Sequence, residues 1–163
     1  MQWSSDRNAG FSRVEPERLY SPVIADATYG YQAVNVESQL RTGSSLLGWT
    51  RKLVAARKRS KVFGRGTLRF LAPANTRVLA HLREHRGETV LLVHNLAPSA
   101  EAVELDLAEF RGAAPVEILG GSRFPVVSER PYPLTLAPHG SYWLRLDRPG
   151  RPAETYGIER DSV

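Results

Sequence analysis

Residues 77–95, RVLAHLREHRGETVLLVHN, decide how the rest of the chain is read. Val78, Ala80 and Leu82 alternate with neighbours that include His81 and Arg83, so this stretch predicts a strand with one buried and one wet face. Arg86-Gly87 offers a two-residue hairpin turn. The return stretch differs: Val90, Leu91, Leu92 and Val93 are apolar at every position, which predicts a central strand buried on both sides.

Working outward from the hairpin, short β-branched and aromatic runs separated by Pro, Gly and Asn predict further strands at Thr67 to Leu71, Ala102 to Leu107, Val116 to Leu119, Pro133 to Leu136 and Ser141 to Leu146. With Arg77 to His85 and Glu88 to Asn95 they make seven short antiparallel strands, and the expected fold is mainly β, a two-sheet sandwich over 64–147. The stretch 148–163 is rich in Pro, Gly and mixed charge and is expected to be a flexible tail.

Before the strands, residues 1–63 follow a different pattern. The first thirty residues read as loop, carrying Trp3, Phe11 and Tyr20 with no helical or strand period. A loop of that length is unusual in a free-standing domain. Ala33 to Leu40 predicts a short helix. A longer one follows, with Ser44 or Ser45 as N-cap, an apolar stripe of Leu46, Leu47, Leu53 and Val54 flanked by Trp49, and basic residues toward its C-terminal end, where the helix dipole favours them. Gly64 and Gly66 then end the helical pattern.

Composition narrows the function. The chain has 163 residues, a net charge of +5 and no cysteine, which excludes disulfides, thiolate catalysis and zinc-thiolate sites. Its arginines are mostly scattered beside acids, as in Arg83-Glu84 and Glu129-Arg130, so no nucleic-acid partner is expected. No apolar run has the roughly 18 to 20 residues of a membrane span and no signal-peptide layout is present, so a soluble, cytoplasmic chain is expected. His81 and His85 would lie about 13 Å apart along one strand, too far for one ion. His94 and His139 read as strand and turn residues, and neither metal nor cofactor is expected. Asp6, Asp26, Asp106 and Glu109 sit where carboxylates usually form turns. Trp3, Tyr29, Tyr31, Tyr132 and Trp143 are aromatics that could serve as stacking platforms for a ligand ring; Trp143, alternating with its neighbours in the last strand, reads rather as core, and Trp3 equally as packed under the loop.

The most specific string is MQWSSDRNAGFS, residues 1–12. It resembles the segment that follows the last catalytic motif in trehalose synthases and related alpha-glucosidases of the alpha-amylase superfamily. YGYQAVNVESQLRTGSSLLGWTRKLVAARK (29–58) is similar to the approach to, and passage through, the final helix of that family's (β/α)₈ barrel. FGRGTLRFL (63–71), HNL (94–96), AVELDLAEFRG (102–112) and LTLAPHGSYWLRL (134–146) resemble its C-terminal β-domain, and YQAVNVE and GGSRFP favour trehalose synthase over amylase.

The resemblance implies a parent enzyme that interconverts maltose and trehalose by double displacement. It implies that residues 1–63 are a barrel remnant, a rim loop and one or two helices, ahead of a maltogenic-amylase type β-domain at 64–147. It further implies that Gln2, Trp3, Asp6, Asn8 and Phe11 lie near the sugar pocket on the barrel's C-terminal face. The family's nucleophile, acid-base and transition-state-stabilising carboxylates all precede the MQW segment, so a fragment without catalytic residues is expected. Its expected partners are maltose- or trehalose-type sugars in the intact enzyme, and a missing barrel or further copies of itself. The helix stripe of Leu46, Leu47, Leu53 and Val54, worth roughly 1.5 to 3 kcal/mol per buried side chain, is expected to seek the β-sandwich, another copy of the chain or a missing partner.

Overall fold

The computed structural model describes residues 1–147, so the tail expected over 148–163 lies outside the described residues. Two compact units divide between Ala55 and Ala56, inside a helix.

In the second unit all seven expected strands form: β1 Thr67–Leu71, β2 Val78–His85, β3 Glu88–Asn95, β4 Glu101–Leu105, β5 Ala114–Glu117, β6 Tyr132–Leu136 and β7 Ser141–Asp147. Arg86 and Gly87 adopt φ of 49° and 82°, both left-handed, as a type I′ turn requires if its twist is to match the flanking strands. This turn sets the β2–β3 register from Val78 opposite Asn95 to His85 opposite Glu88. The main sheet runs β1-β2-β3-β7-β5, and β4 pairs with β6 in a second, two-stranded sheet.

Two strand ends shift from expectation because side chains capture the backbone. Asp106 accepts a hydrogen bond from the Ala108 amide at 3.1 Å and starts a 3₁₀ turn at Ala108–Phe110, so β4 stops at Leu105. The Glu117 carboxylate accepts from the Leu119 amide at 3.0 Å, which turns the chain and ends β5 at Glu117.

Between the sheets lies the main core, with Ala80, Leu82, Leu91, Val93, Leu105, Leu107, Phe110, Leu136 and Leu144 essentially inaccessible. β3 is apolar on both faces for a second reason. Val90 and Leu92, on its outer side, join Val62 in a separate cluster that also holds Phe63, Ile118 and Trp143. The helical turn α3, Val62–Arg65, sits there. Three interactions seat it: the Ser60 hydroxyl donates to the Glu88 carboxylate at 2.8 Å, the Arg83 guanidinium donates to the Phe63 carbonyl at 2.8 Å, and the Phe63 and Trp143 rings lie 5.1 Å apart. Residues 60–63 thus pack on the β-sheet, although their sequence pattern belongs to the preceding helices. The two glycines that follow differ physically. A Cβ on Gly66 would meet the Val62 carbonyl oxygen at 2.4 Å, whereas one on Gly64 would meet nothing within 4 Å.

The first unit holds α1, Val36–Arg41, and most of α2, Leu46–Arg59. Asn35 caps α1 by accepting from the Ser38 amide at 2.7 Å. Of the two candidate caps for α2, Ser45 takes the role: its hydroxyl accepts from the Gly48 amide at 3.1 Å and donates to the Gln39 carbonyl at 2.6 Å. Leu46, Trp49 and Val54 on α2 are exposed.

Candidate functional site

The five residues singled out near the N-terminus occupy one tightly wound loop. Asn8, Ala9 and Gly10 take φ of 56°, 57° and 74° in succession, a left-handed turn that ordinary side chains avoid. Three sets of bonds hold it. The Asn8 side-chain amide donates to the Ser12 and Val14 carbonyls at 3.1 and 2.7 Å. The Ala9 carbonyl accepts from the Trp3 and Ser4 amides. Amides of Val36 and Glu37, in the first turn of α1, donate to the Gln2 and Trp3 carbonyls at 2.8 and 3.0 Å. Strain of this kind persists only where its surroundings over-determine it, and it concentrates at functional loops.

The loop sorts the five residues into two groups. Gln2 and Asn8 are buried, and their amides are committed to backbone carbonyls, Gln2 to that of Tyr29 at 3.1 Å. Trp3, Asp6 and Phe11 face outward, with Trp3 57% and Phe11 56% exposed. These three line an open concavity of about 690 Å³ together with Ser4, Arg7, Gly10, Ser12 and Arg13. Asp6 is its one lining carboxylate, and the Ser4 hydroxyl donates to it at 3.1 Å. Arg7, beside it, pairs with Glu15. A shallower hollow of about 400 Å³ in the second unit also has a single lining carboxylate, Glu129, paired with Arg111. Among the described residues no three His, Asp or Glu side chains gather to hold a metal, and no helix is long and apolar enough to cross a membrane.

Other candidates fall to structural roles. Asp26 accepts from the Thr28 and Tyr29 amides and Asp106 from that of Ala108, so both are turn formers. Tyr132 is buried and donates its hydroxyl to the Pro125 carbonyl at 2.8 Å; burial raises its pKa and removes it as a sugar platform. Trp143 is half-buried beneath Phe63, leaving Tyr29 as an exposed aromatic besides Trp3. Glu101 is held at a pKa of about 2 by hydrogen bonds from Asn75, Ser99 and Arg77, and it ties the Asn75–Arg77 turn to β4.

One constellation is not marked by the strand pattern. On the outer face of the main sheet His81 and His94 stack 5.8 Å apart at 19°, and Phe70 lies 5.9 Å from His81. Burial lowers both histidine pKa values, and that of His81 is lowered further by His94 and Arg83. The pairing was available from the hairpin: with His81 opposite Leu92, His94 is its diagonal neighbour across the strands.

Residues 68–143 match the family model of the maltogenic amylase C-terminal domain. Over 159 residues the chain is 48% identical to a trehalose synthase from Pimelobacter sp. strain R48, covering 93% of this chain and 28% of that protein. It is 46% identical over 158 residues to the trehalose synthase/amylase TreS of Mycolicibacterium smegmatis, covering 91% of this chain and 27% of that one. The trehalulose synthase of Pseudomonas mesoacidophila MX-45 superposes with a TM-score of 0.65 at 23% identity, over 90% of this chain and 24% of that one, a likeness of fold. The chain thus spans about a quarter of the length of the relatives it matches.

Proposed function

We propose that this chain, which belongs with the C-terminal region of the trehalose synthases of the alpha-amylase family, is a noncatalytic domain that braces the sugar-converting part of such an enzyme and lends its N-terminal loop to the rim of the sugar pocket. The observation that carries the noncatalytic reading is the carboxylate count. Retaining glycosyl transfer needs two carboxyl groups about 5 to 5.5 Å apart across the sugar. The concavity at the loop offers Asp6 alone, beside two arginines, Arg7 and Arg13.

On this reading Trp3, Asp6 and Phe11 face the sugar, while Gln2 and Asn8 act as positioning residues, holding the turn that presents the other three. The setting is cytoplasmic, in keeping with a chain free of cysteine. The test is direct: purified chain incubated with maltose should form no trehalose above a no-protein control, and turnover that survives Asp6→Asn would show that catalysis resides elsewhere in the chain.

A second reading, a sugar-binding module, is favoured by the exposed pair Trp3 and Phe11 on the rim of one concavity. Calorimetric titration with maltose decides it. Heat that disappears in Trp3→Ala supports this reading, and absence of heat in the intact chain removes it.

A further inference from the structure

From Ser38 to Arg83 the chain carries eleven lysines and arginines and no Asp or Glu, and all three of its lysines lie there. Five of these cations, Arg57, Lys58, Arg59, Lys61 and Arg65, fall within nine residues and belong to the second unit. All five are exposed. Among the described residues none of them makes an ion pair or a side-chain hydrogen bond. Most other arginines of the unit are partnered: Arg69, Arg77, Arg111 and Arg145 pair with carboxylates, and Arg83 donates to the Val62 and Phe63 carbonyls.

Like charges this close repel one another, so the cluster works against the compact state. The helix dipole offsets part of that for the cations in the last turns of α2 and α3. Lys61 gains nothing from it, because it precedes α3, at the end where a cation is disfavoured. The cluster also stands on a fixed base. Val62 is fully buried, the Ser60 hydroxyl is bonded to Glu88 and the Phe63 carbonyl to Arg83, so the sheet holds the backbone between the cations.

No apolar group is left on this base for another kind of partner. Ala56 and Val62 are buried, and Phe63 is half-buried with its ring 5.1 Å from that of Trp143. A lipid surface calls for an apolar side chain to insert, and single-stranded nucleic acid for an exposed aromatic on which bases stack. Tight duplex binding draws on about six to ten phosphate contacts, more than five cations in nine residues supply. A short, dense and rigid set of guanidinium and ammonium groups fits a short run of carboxylates.

We infer that Arg57, Lys58, Arg59, Lys61 and Arg65 form a docking surface for an acidic segment of a partner protein. The surface belongs to the second unit and is independent of the rim role proposed for the first.

The test titrates the full 163-residue chain with an octaglutamate peptide, an oligothymidine of equal charge and phosphatidylserine vesicles. At about 50 mM salt the peptide should bind, and about 150 mM salt should weaken it several-fold. Lys58→Glu combined with Lys61→Glu should lower its affinity by about tenfold or more. Arg123→Glu combined with Arg130→Glu, the same change in net charge on exposed arginines elsewhere in the unit, should change it by less than about twofold. Because the cluster supports no contact, the Lys58, Lys61 double variant should keep or raise the unfolding temperature. A fall of more than about 5 °C would show that these cations serve the fold, and would overturn the inference. Absence of peptide binding, or equal loss in the two double variants, would overturn it as well. Tighter binding of the oligothymidine or the vesicles than of the peptide, lost in the Lys58, Lys61 variant, would assign the surface to nucleic acid or membrane and overturn the protein partner.

Discussion

Val62→Ala tests whether the turn after α2 belongs to the β-sandwich in solution. Val62 is fully buried against Val90 and Leu92, two side chains whose backbones are fixed by the β3 ladder and cannot move inward to fill a void. The substitution removes about two methylene equivalents, roughly 1.6 kcal/mol of transfer free energy, and the unfilled space brings the total loss to about 2 kcal/mol or slightly more. By contrast, Leu46→Ala removes a side chain that is 71% exposed and should cost less than about 0.5 kcal/mol. Urea unfolding followed by tryptophan emission reads the difference. With Trp3 and Trp49 replaced by phenylalanine, Trp143 remains, and it borders the cluster around Val62. At an m-value of about 2 kcal/mol/M, Val62→Ala should lower the midpoint by about 1 M. A shift below about 0.3 M with m unchanged would refute the seating of α3 on the sheet.

Gly66→Ala should destabilise the sandwich by about 2 kcal/mol or more in the same titration, because its Cβ would strike the Val62 carbonyl, and Gly64→Ala should be neutral or raise the midpoint slightly. Asn8→Ala strips the donors from the Ser12 and Val14 carbonyls and should open the loop by about 1 to 3 kcal/mol, read as faster amide exchange at Trp3, Ser4 and Phe11; unchanged protection there would contradict the geometry. The sandwich should also weaken in mild acid. Folded His81 and His94 bind protons less readily than free imidazole at 6.5, so below that pH the unfolded chain takes up more protons and stability falls with pH; His81→Gln should flatten the decline between pH 7 and 5, and a profile unaltered by it would exclude the pair as its source. Glu101, with its pKa held at about 2 against 4.5, adds a second loss in the same direction as pH falls from 4.5 toward 2.

How much was legible follows from the range of the interactions involved. Strand identity and the hairpin turn depend on neighbours within a few residues, and Arg86-Gly87 between an alternating run and a continuously apolar one was enough to define register. Leu79 was the weak point in that pattern. An apolar residue in the wet half of β2 signals an outer face that is not wholly wet, and alternation alone passes over it. In the loop, composition marked Gln2, Trp3, Asp6, Asn8 and Phe11 together, but which amides turn inward depends on left-handed backbone at Asn8 and Ala9 that no periodicity encodes.

The amino-acid sequence by itself determined the β-sandwich, the kinship with trehalose synthases and the two-faced burial of β3, because each is written in local pattern or in short specific strings. Only the tertiary structure decided that residues 60–63 rest on the sheet, that His81 meets His94, and that Leu68, Phe70 and Leu79 stay exposed on its outer side. Those outcomes come from pairings between residues 13 to 80 positions apart, where register and side-chain direction, summed along the whole sheet, choose the neighbours.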